Sequence, residues 1–539
     1  GIAGLQRRKL AEQLLGAQMP PDRHVGAKIA QEAGPDGRLS ALLAVDEQGV
    51  APCAENAPLG YVVHVGGHRR LLERCLRDAE EHSARIWVIG TPSKTCRNEF
   101  AARPTLTLMA GPDVPRGLLT SSTTRTLGLI AFSDVKPTLL HWFGIEPNAP
   151  AETIAIGKPV NSLDAVASLD RLASANVAAM IPVLGGCGAI VGLVVALSLG
   201  AIGPLRRYAR SALYLLTACM ALPVGFLCTG PVIAALPMTA APWLYGLILA
   251  AITVVVGGLM QALSHFVPLR DVPLRRCLMV LAVTSLVIVG DGLCGQPLVK
   301  RSLLAACGMS GIRFYGVGNE YMGILVGTAS GLLFLTGGGW RAAAALGAGL
   351  ALFFGVGVFG ANAGGVVTAV GLFAYASATI KGKRSGLWTL LWPAALGLGA
   401  AFFFAFIDAG FLGKSASHLG GTIRATRFEG LGLVVDIAVR KLLMNFGVLA
   451  SWPALVAIIA FAAFAYAAVT RFGAGLAALQ DTYPRWAQWG PAAAYGAAVA
   501  FLFNDTGTVA ALFVFGVFAV SGLYLRLASG VGDALAEPH

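Results

Sequence analysis

From residue 177 onward, apolar runs long enough to cross a bilayer alternate with short polar links, and that pattern excludes an arrangement of soluble domains. About 20 helical residues cover a hydrocarbon core of about 30 Å. Runs of this kind lie at 177–203, 211–234, 241–264, 277–296, 320–338, 342–360, 365–380, 386–408, 446–470, 488–504 and 507–525. Charged residues are only 13% of the 539, against about 25% in an ordinary soluble chain, which fits burial in lipid.

The charge that is present is unevenly spread. Residues 1–165 are dense in it, as in the stretch from Arg69 to Trp87, and predict a soluble domain. The amphipathic stretch 166–176 predicts a linker, 177–526 a multi-span membrane domain, and 527–539 a cytoplasmic tail. The net charge is +12, but no basic stripe interleaved with aromatics is present, so no nucleic-acid partner is expected. The nine cysteines form no CxxC, which gives no zinc or redox motif; Cys53, Cys75 and Cys96 lie in the soluble portion. Residue 1 is Gly and no signal-like segment opens the chain, so the soluble domain is expected to be incomplete.

The links sort by charge. One set carries Arg206, Arg207 and Arg210; Arg270, Arg275 and Arg276; Arg341; Lys381, Lys383 and Arg384; Arg471 and Arg485; and Arg526. The intervening set is uncharged or long and mixed. The positive-inside rule places the first set in the cytoplasm, with residues 1–165 outside and the C-terminus inside. The expected location is a bacterial cytoplasmic membrane.

Polar residues at membrane depth are costly and mark candidate sites. Asp291 ends the fourth run, and the link after it leads into RFYGVGNEYMG with Arg313, Asn319 and Glu320. Asn362 lies in GANAGG, Asp408 closes the eighth run, and Asp505 lies in NDTG. The loop after Asp408 holds Ser417, His418, Arg424 and Arg427, followed by Glu429, Asp436, Arg440 and Lys441. All five elements are expected on the outer side, as a polar vestibule made by interrupted helices. Arg313, Arg424 and Arg427 suit a phosphate or pyrophosphate headgroup, and Asn319, Glu320, Asn362, Asp291, Asp408 and Asp505 are the remaining binding candidates. His418, Ser417 and Glu320 are the catalytic candidates; simple turns and a hydrogen-bonded structural histidine are the competing readings.

In the soluble portion, apolar runs at Leu39–Val45, Ile86–Gly90, Leu106–Ala110 and Leu127–Phe132 predict strands, and Pro137–Phe143 a short helix after Ser133 and Asp134. Strands alternating with helices suggest an α/β layer arrangement. The stretch TSSTTRTLGLIAFSDVKPTLLHWFGIEP, closing with GKPV, resembles the C-terminal end of the alkaline-phosphatase superfamily fold. Asp134, Pro137, Thr138, Leu139, Leu140, Gly144, Gly157 and Pro159 carry the match. With RFYGVGNEYMG, SHLG and NDTG, the chain resembles a group of uncharacterised bacterial multi-span membrane proteins that bear such a domain. RFYGVGNEYMGILVG is also loosely similar to the Arg…Gly-x-x-Asn pattern of glycan polymerases and ligases.

The expected fold is therefore an extracytoplasmic α/β domain, partial and alkaline-phosphatase-like, followed by an all-α polytopic membrane domain of about 11 helices. Superfamily enzymes need a nucleophile and Asp/His ligands for two metals, and this chain shows no such set; His64 and His68 have no carboxylate before Glu73. No divalent metal is expected on it. Three functions remain: action on, or binding of, a lipid-linked phosphate or glycan by a degenerate phosphotransferase-like protein; a non-catalytic subunit that meets membrane lipids and other membrane subunits; or a glycan polymerase, ligase or transport protein.

Overall fold

The computed structural model describes residues 26–27, 42–45, 60–63, 86–89, 107–111, 114–142, 153–157, 162–308, 313–383, 386–411, 439, 443, 445–447, 479–483 and 485–536. The chain divides into two compact units, Gly1–Arg97 with Pro104–Ala167, and Asn98–Arg103 with Ser168–His539.

The first unit contains short strands and one short helix among its described residues. β1 (Gly26–Ala27) pairs antiparallel with β2 (Leu42–Val45), and β3 (Gly60–Val63) pairs parallel with β2. β4 (Ile86–Ile89) pairs antiparallel with β5 (Thr107–Ala110), placing strands in three of the four expected apolar runs. The fourth, Leu127–Phe132, forms no strand. Its backbone is committed to a turn: Gly128 N–H donates to Leu119 O (2.9 Å) and Thr124 Oγ1 donates to Leu129 O (2.6 Å). Positive φ at Arg125 (49°) and Gly128 (85°) breaks the extended path. The neighbouring ladder is instead β6 (Leu119–Thr120) with β7 (Ala155–Ile156).

Helix α1 (Val135–Trp142) follows a single 3-10 turn at Phe132–Asp134. The buried Asp134 carboxylate turns back, accepting from Thr123 Oγ1 (2.6 Å), Ser133 Oγ (3.3 Å) and the Ala131 N–H (3.1 Å). Thr138 Oγ1 donates to Asp134 O (2.6 Å) and accepts from the Ile154 N–H (2.8 Å). The D-x-x-P-T sequence thus staples the 121–126 loop and residue 154 to the start of the helix.

The second unit is a polytopic helical domain of a membrane protein. Among the described residues its helices are α2 (Ser162–Ala201), α3 (Ala209–Ala235), α4 (Pro242–Ser264), α5 (Val272–Leu293), α6 (Asn319–Leu335), α7 (Trp340–Gly355), α8 (Ala363–Ile380), α9 (Leu387–Phe411), α10 (Trp486–Phe503) and α11 (Gly507–Ala536). Seven of them, α2 to α5, α8, α9 and α11, are long and apolar enough to cross a bilayer; α7 is apolar but shorter. Ten of the eleven expected runs meet a helix, and 446–470 falls almost wholly outside the described residues. Residues 166–176, expected as a linker, are helical and continue into the first span without a break. Ile181, Leu193, Val254, Leu286, Leu387 and Phe406 are all more than 65% exposed, an apolar surface that water does not tolerate and lipid does.

Five prolines, Pro182, Pro223, Pro231, Pro393 and Pro491, sit inside these helices, as spans permit. The bundle centre is α6 and α8. Fully 72% of the α8 span is buried, against 11% for α2 at the periphery. Lipid offers no hydrophobic gain for helix association, so close approach and hydrogen bonds must supply it. On α6, Gly323 lies where a Cβ would stand 2.6 Å from Ala510 O of α11, and at Gly327 it would stand 3.0 Å from Val517 Cβ. Trp489 Nε1 of α10 donates to Ser330 Oγ (2.9 Å), and Ser285 of α5 bonds Thr328 (2.8 Å).

Candidate functional site

Four of the five polar elements singled out in the sequence meet at one end of this bundle. Of the fifth, Asp408 is described, while the loop with Ser417, His418, Arg424 and Arg427 lies outside the described residues. The junction forms where α5 and α10 end and where α6, α8 and α11 begin.

Each break is held by a side chain from another part of the chain. Asn362 is buried and caps α8, accepting from the Gly365 N–H (2.8 Å). Its amide donates to Val317 O (2.9 Å) and Asn319 Oδ1 (3.2 Å). Asn319, the first residue of α6, donates in turn to Thr506 Oγ1 (2.8 Å) beside the start of α11. The Val317 N–H donates to Gly360 O (2.7 Å), so the two links run against each other. A Cβ at Gly316 (φ 88°) would stand 2.7 Å from the same Gly360 oxygen, which leaves room for glycine alone.

Two further residues, which sequence reasoning did not single out, complete the junction. Gln296 is buried at φ 68°; its Nε2 donates to Phe359 O and its Oε1 accepts from the Gly316 N–H (2.6 Å). It joins the link after α5 to the links before α6 and α8. Asn445 is buried and donates to Phe501 O (2.8 Å) and Asn504 O (2.9 Å), while its Oδ1 accepts from the Gly507 N–H (2.7 Å). It closes the NDTG break. Asn504 reaches Thr368 Oγ1 of α8 (3.2 Å). Non-glycine residues at positive φ, Gln296 and Ala361 (46°), cost strain that these contacts hold in place.

The charged candidates divide. The buried Asp291 carboxylate accepts from the Leu298 (2.7 Å) and Val299 (3.0 Å) N–H groups, which caps the turn Val299–Arg301. Arg313 is half-buried and donates through Nη1 to Val317 O (3.3 Å), one of five donors on its guanidinium. Glu320 is half-buried in the first turn of α6, with Arg313 acting on it electrostatically. Asp505 is half-buried in the break before α11. Asp408 is buried near the end of α9, one turn beyond Phe404, whose ring meets Gly355 at the end of α7. Among the described residues, no three His, Cys, Asp or Glu side chains stand close enough together to hold a metal ion.

The other end of the same helices is different. Arg485 Nε donates to Gly337 O after α6 (3.0 Å), and Tyr483 OH donates to Asp271 Oδ2 before α5 (2.8 Å). Lys381 Nζ, after α8, lies 3.6 Å from the centre of the Trp340 ring at the start of α7. The links carrying Asp271, Gly337, Trp340, Lys381 and Arg485 therefore gather together, one helix length from the junction, about 27 Å for α8 at 1.5 Å per residue.

No family model, curated protein or solved structure matches the chain.

Proposed function

We propose that this membrane protein binds a lipid-linked phosphate or glycan at the junction end, with Arg313 and Glu320 as the recognising pair. The observation that carries this reading is a division of labour inside the cluster. Asn362, Asn445, Gln296 and Asp291 turn their polar atoms onto the protein itself. Arg313 and Glu320 bring opposite charges, half-buried, to a link that three helix N-termini adjoin. An arginine that commits a single donor among the described residues, to Val317 O, suits a phosphate in bidentate fashion, and helix N-termini add favourable potential for an anion. Glu320, an acceptor, then suits the hydroxyl-rich part of a glycan.

The positive-inside rule supports assigning the basic end to the cytoplasm and the junction, with residues 1–165, to the outer side of a bacterial cytoplasmic membrane. The resemblance of residues 120–159 to the phosphatase superfamily supports a partial, phosphotransferase-like α/β domain there. The hydrogen bonds that occupy Asp134 favour a second reading of that domain, as a binding or assembly module rather than a metal enzyme.

Binding of a long-chain isoprenyl phosphate to the detergent-solubilised protein, compared with the isoprenyl alcohol of equal length, tests the proposal. The phosphate is expected to bind at least tenfold more tightly, an advantage lost in Arg313→Ala and partly kept in Arg313→Lys, given about 1.5–3 kcal/mol for a charge-assisted bond. Equal binding of alcohol and phosphate, or an Arg313→Ala protein that keeps the difference, would overturn it.

A further inference from the structure

At the basic end, one corner differs from the rest. The link Thr336–Gly339 after α6 closes locally: Thr336, Gly337 and Gly338 N–H groups donate to Leu332, Phe334 and Leu333 carbonyls, and Thr336 Oγ1 donates to Leu332 O (2.7 Å). The link after α8 closes in the same way, with Lys381, Gly382 and Lys383 N–H groups on Ser377, Thr379 and Ala378 carbonyls. The last helix carbonyls are thus met by local N–H and hydroxyl groups, and neither Lys381 nor Arg341 is needed as a cap.

Those cations converge on Trp340. Lys381 Nζ stands 3.6 Å from the centre of its ring, and Arg341 Cζ stands 5.4 Å from it. Trp340 is 40% exposed, and Ser377 Oγ donates to its carbonyl (3.2 Å), which ties α7 to α8 at this point. Arg485 docks on Gly337 O, three residues before Trp340, and holds Gln488 Oε1 through Nη1 (3.4 Å). None of the three cations is paired with a carboxylate among the described residues. Two cations on one aromatic ring, with a third on the adjoining link, repel one another, and the low dielectric beside a bilayer strengthens that repulsion. A tryptophan at this depth sits at headgroup level.

We propose that the Trp340–Arg341–Lys381–Arg485 corner binds the phosphodiester headgroup of an anionic phospholipid. The headgroup brings a negative charge that offsets part of the repulsion among the three cations, its oxygens accept from Arg341 and Lys381, and its acyl chains continue along the exposed apolar surface of the bundle. The proposal concerns the end away from the junction and stands whether or not Arg313 binds a lipid-linked phosphate.

Native mass spectrometry of the full chain, exchanged into micelles doped with phosphatidylglycerol or phosphatidylcholine, provides the test. Phosphatidylglycerol is expected to be retained preferentially. The preference should fall about tenfold for each cation removed, the loss expected for one charge-assisted hydrogen bond to a headgroup oxygen. Lys381→Gln and Arg341→Gln each lower it, and the double change lowers it further. The paired control Arg207→Gln/Arg210→Gln removes two cations from the same end without touching Trp340, and should leave retention unchanged. Equal retention of both lipids, an equal loss in the control, or displacement of the lipid by millimolar inorganic phosphate would each overturn the proposal. A misfolded double variant leaves the single variants and the lipid comparison to decide.

Discussion

The two ends of the membrane bundle connect similar helices by different chemistry. At the basic end the links after α6 and α8 close mostly on neighbouring backbone and hydroxyl groups, with glycines at positive φ in Gly337 (72°) and Gly382 (82°), and Arg485 adds a single long-range bond to Gly337 O. At the junction end the links are stitched by buried amides whose partners are far away in sequence: Asn445 to residues 501–507, Gln296 to 316 and 359, Asn362 to 317 and 319. Local closure needs little from the rest of the fold. Long-range closure makes each link depend on the others, so the conformation around Arg313 and Glu320 is held by the whole bundle. A site that must keep a charged pair oriented within a bilayer benefits from the second arrangement.

The contrast is broken most severely by Asn362→Leu. That change removes the α8 cap, leaves Asn319 Oδ1 without its donor and leaves Val317 O with only the longer bond from Arg313, with an expected loss of about 3 kcal/mol in an unfolding assay such as steric trapping. A loss under about 1 kcal/mol would mean that the junction is not held by its amides. Gly323→Ala comes next, because its Cβ would meet Ala510 O at 2.6 Å; it should cost about 1–3 kcal/mol by the same assay. Gly349→Ala on α7 has open space around it and should be neutral or slightly stabilising. Lys381→Gln, at the basic end, should change stability by no more than about 0.5 kcal/mol while still weakening lipid retention. Hydrogen exchange sharpens the same comparison without mutation. The Gly316, Val317 and Gly507 amides, all outside regular helix interiors, are expected to exchange more slowly than the Gly339 amide of the basic end.

Much of the membrane half was legible in the sequence, because the bilayer imposes a length and a polarity that hydropathy reads directly. The four polar islands around Asp291, Arg313–Glu320, Asn362 and Asn504–Gly507 were legible for the same reason. Gln296 and Asn445 were not, since an amide near the end of an apolar run has no local signature of a partner 59 or 63 residues away. Gly323, Gly327 and Gly331 repeat every four residues, and this small-residue spacing was readable as a packing face. The apolar run Leu127–Phe132 misled because its composition suits a strand while Gly128 within it and Thr124 before it commit the backbone to a turn.

The central claim is that the stitched end presents Arg313 to a phosphate. A cryo-electron microscopy map of the protein in nanodiscs doped with an isoprenyl phosphate tests it most directly. The account predicts headgroup density within about 3 Å of the Arg313 guanidinium, absent when the isoprenyl alcohol is used instead. Ligand density elsewhere with Arg313 still on Val317 O alone, or the same density with the alcohol, would contradict it.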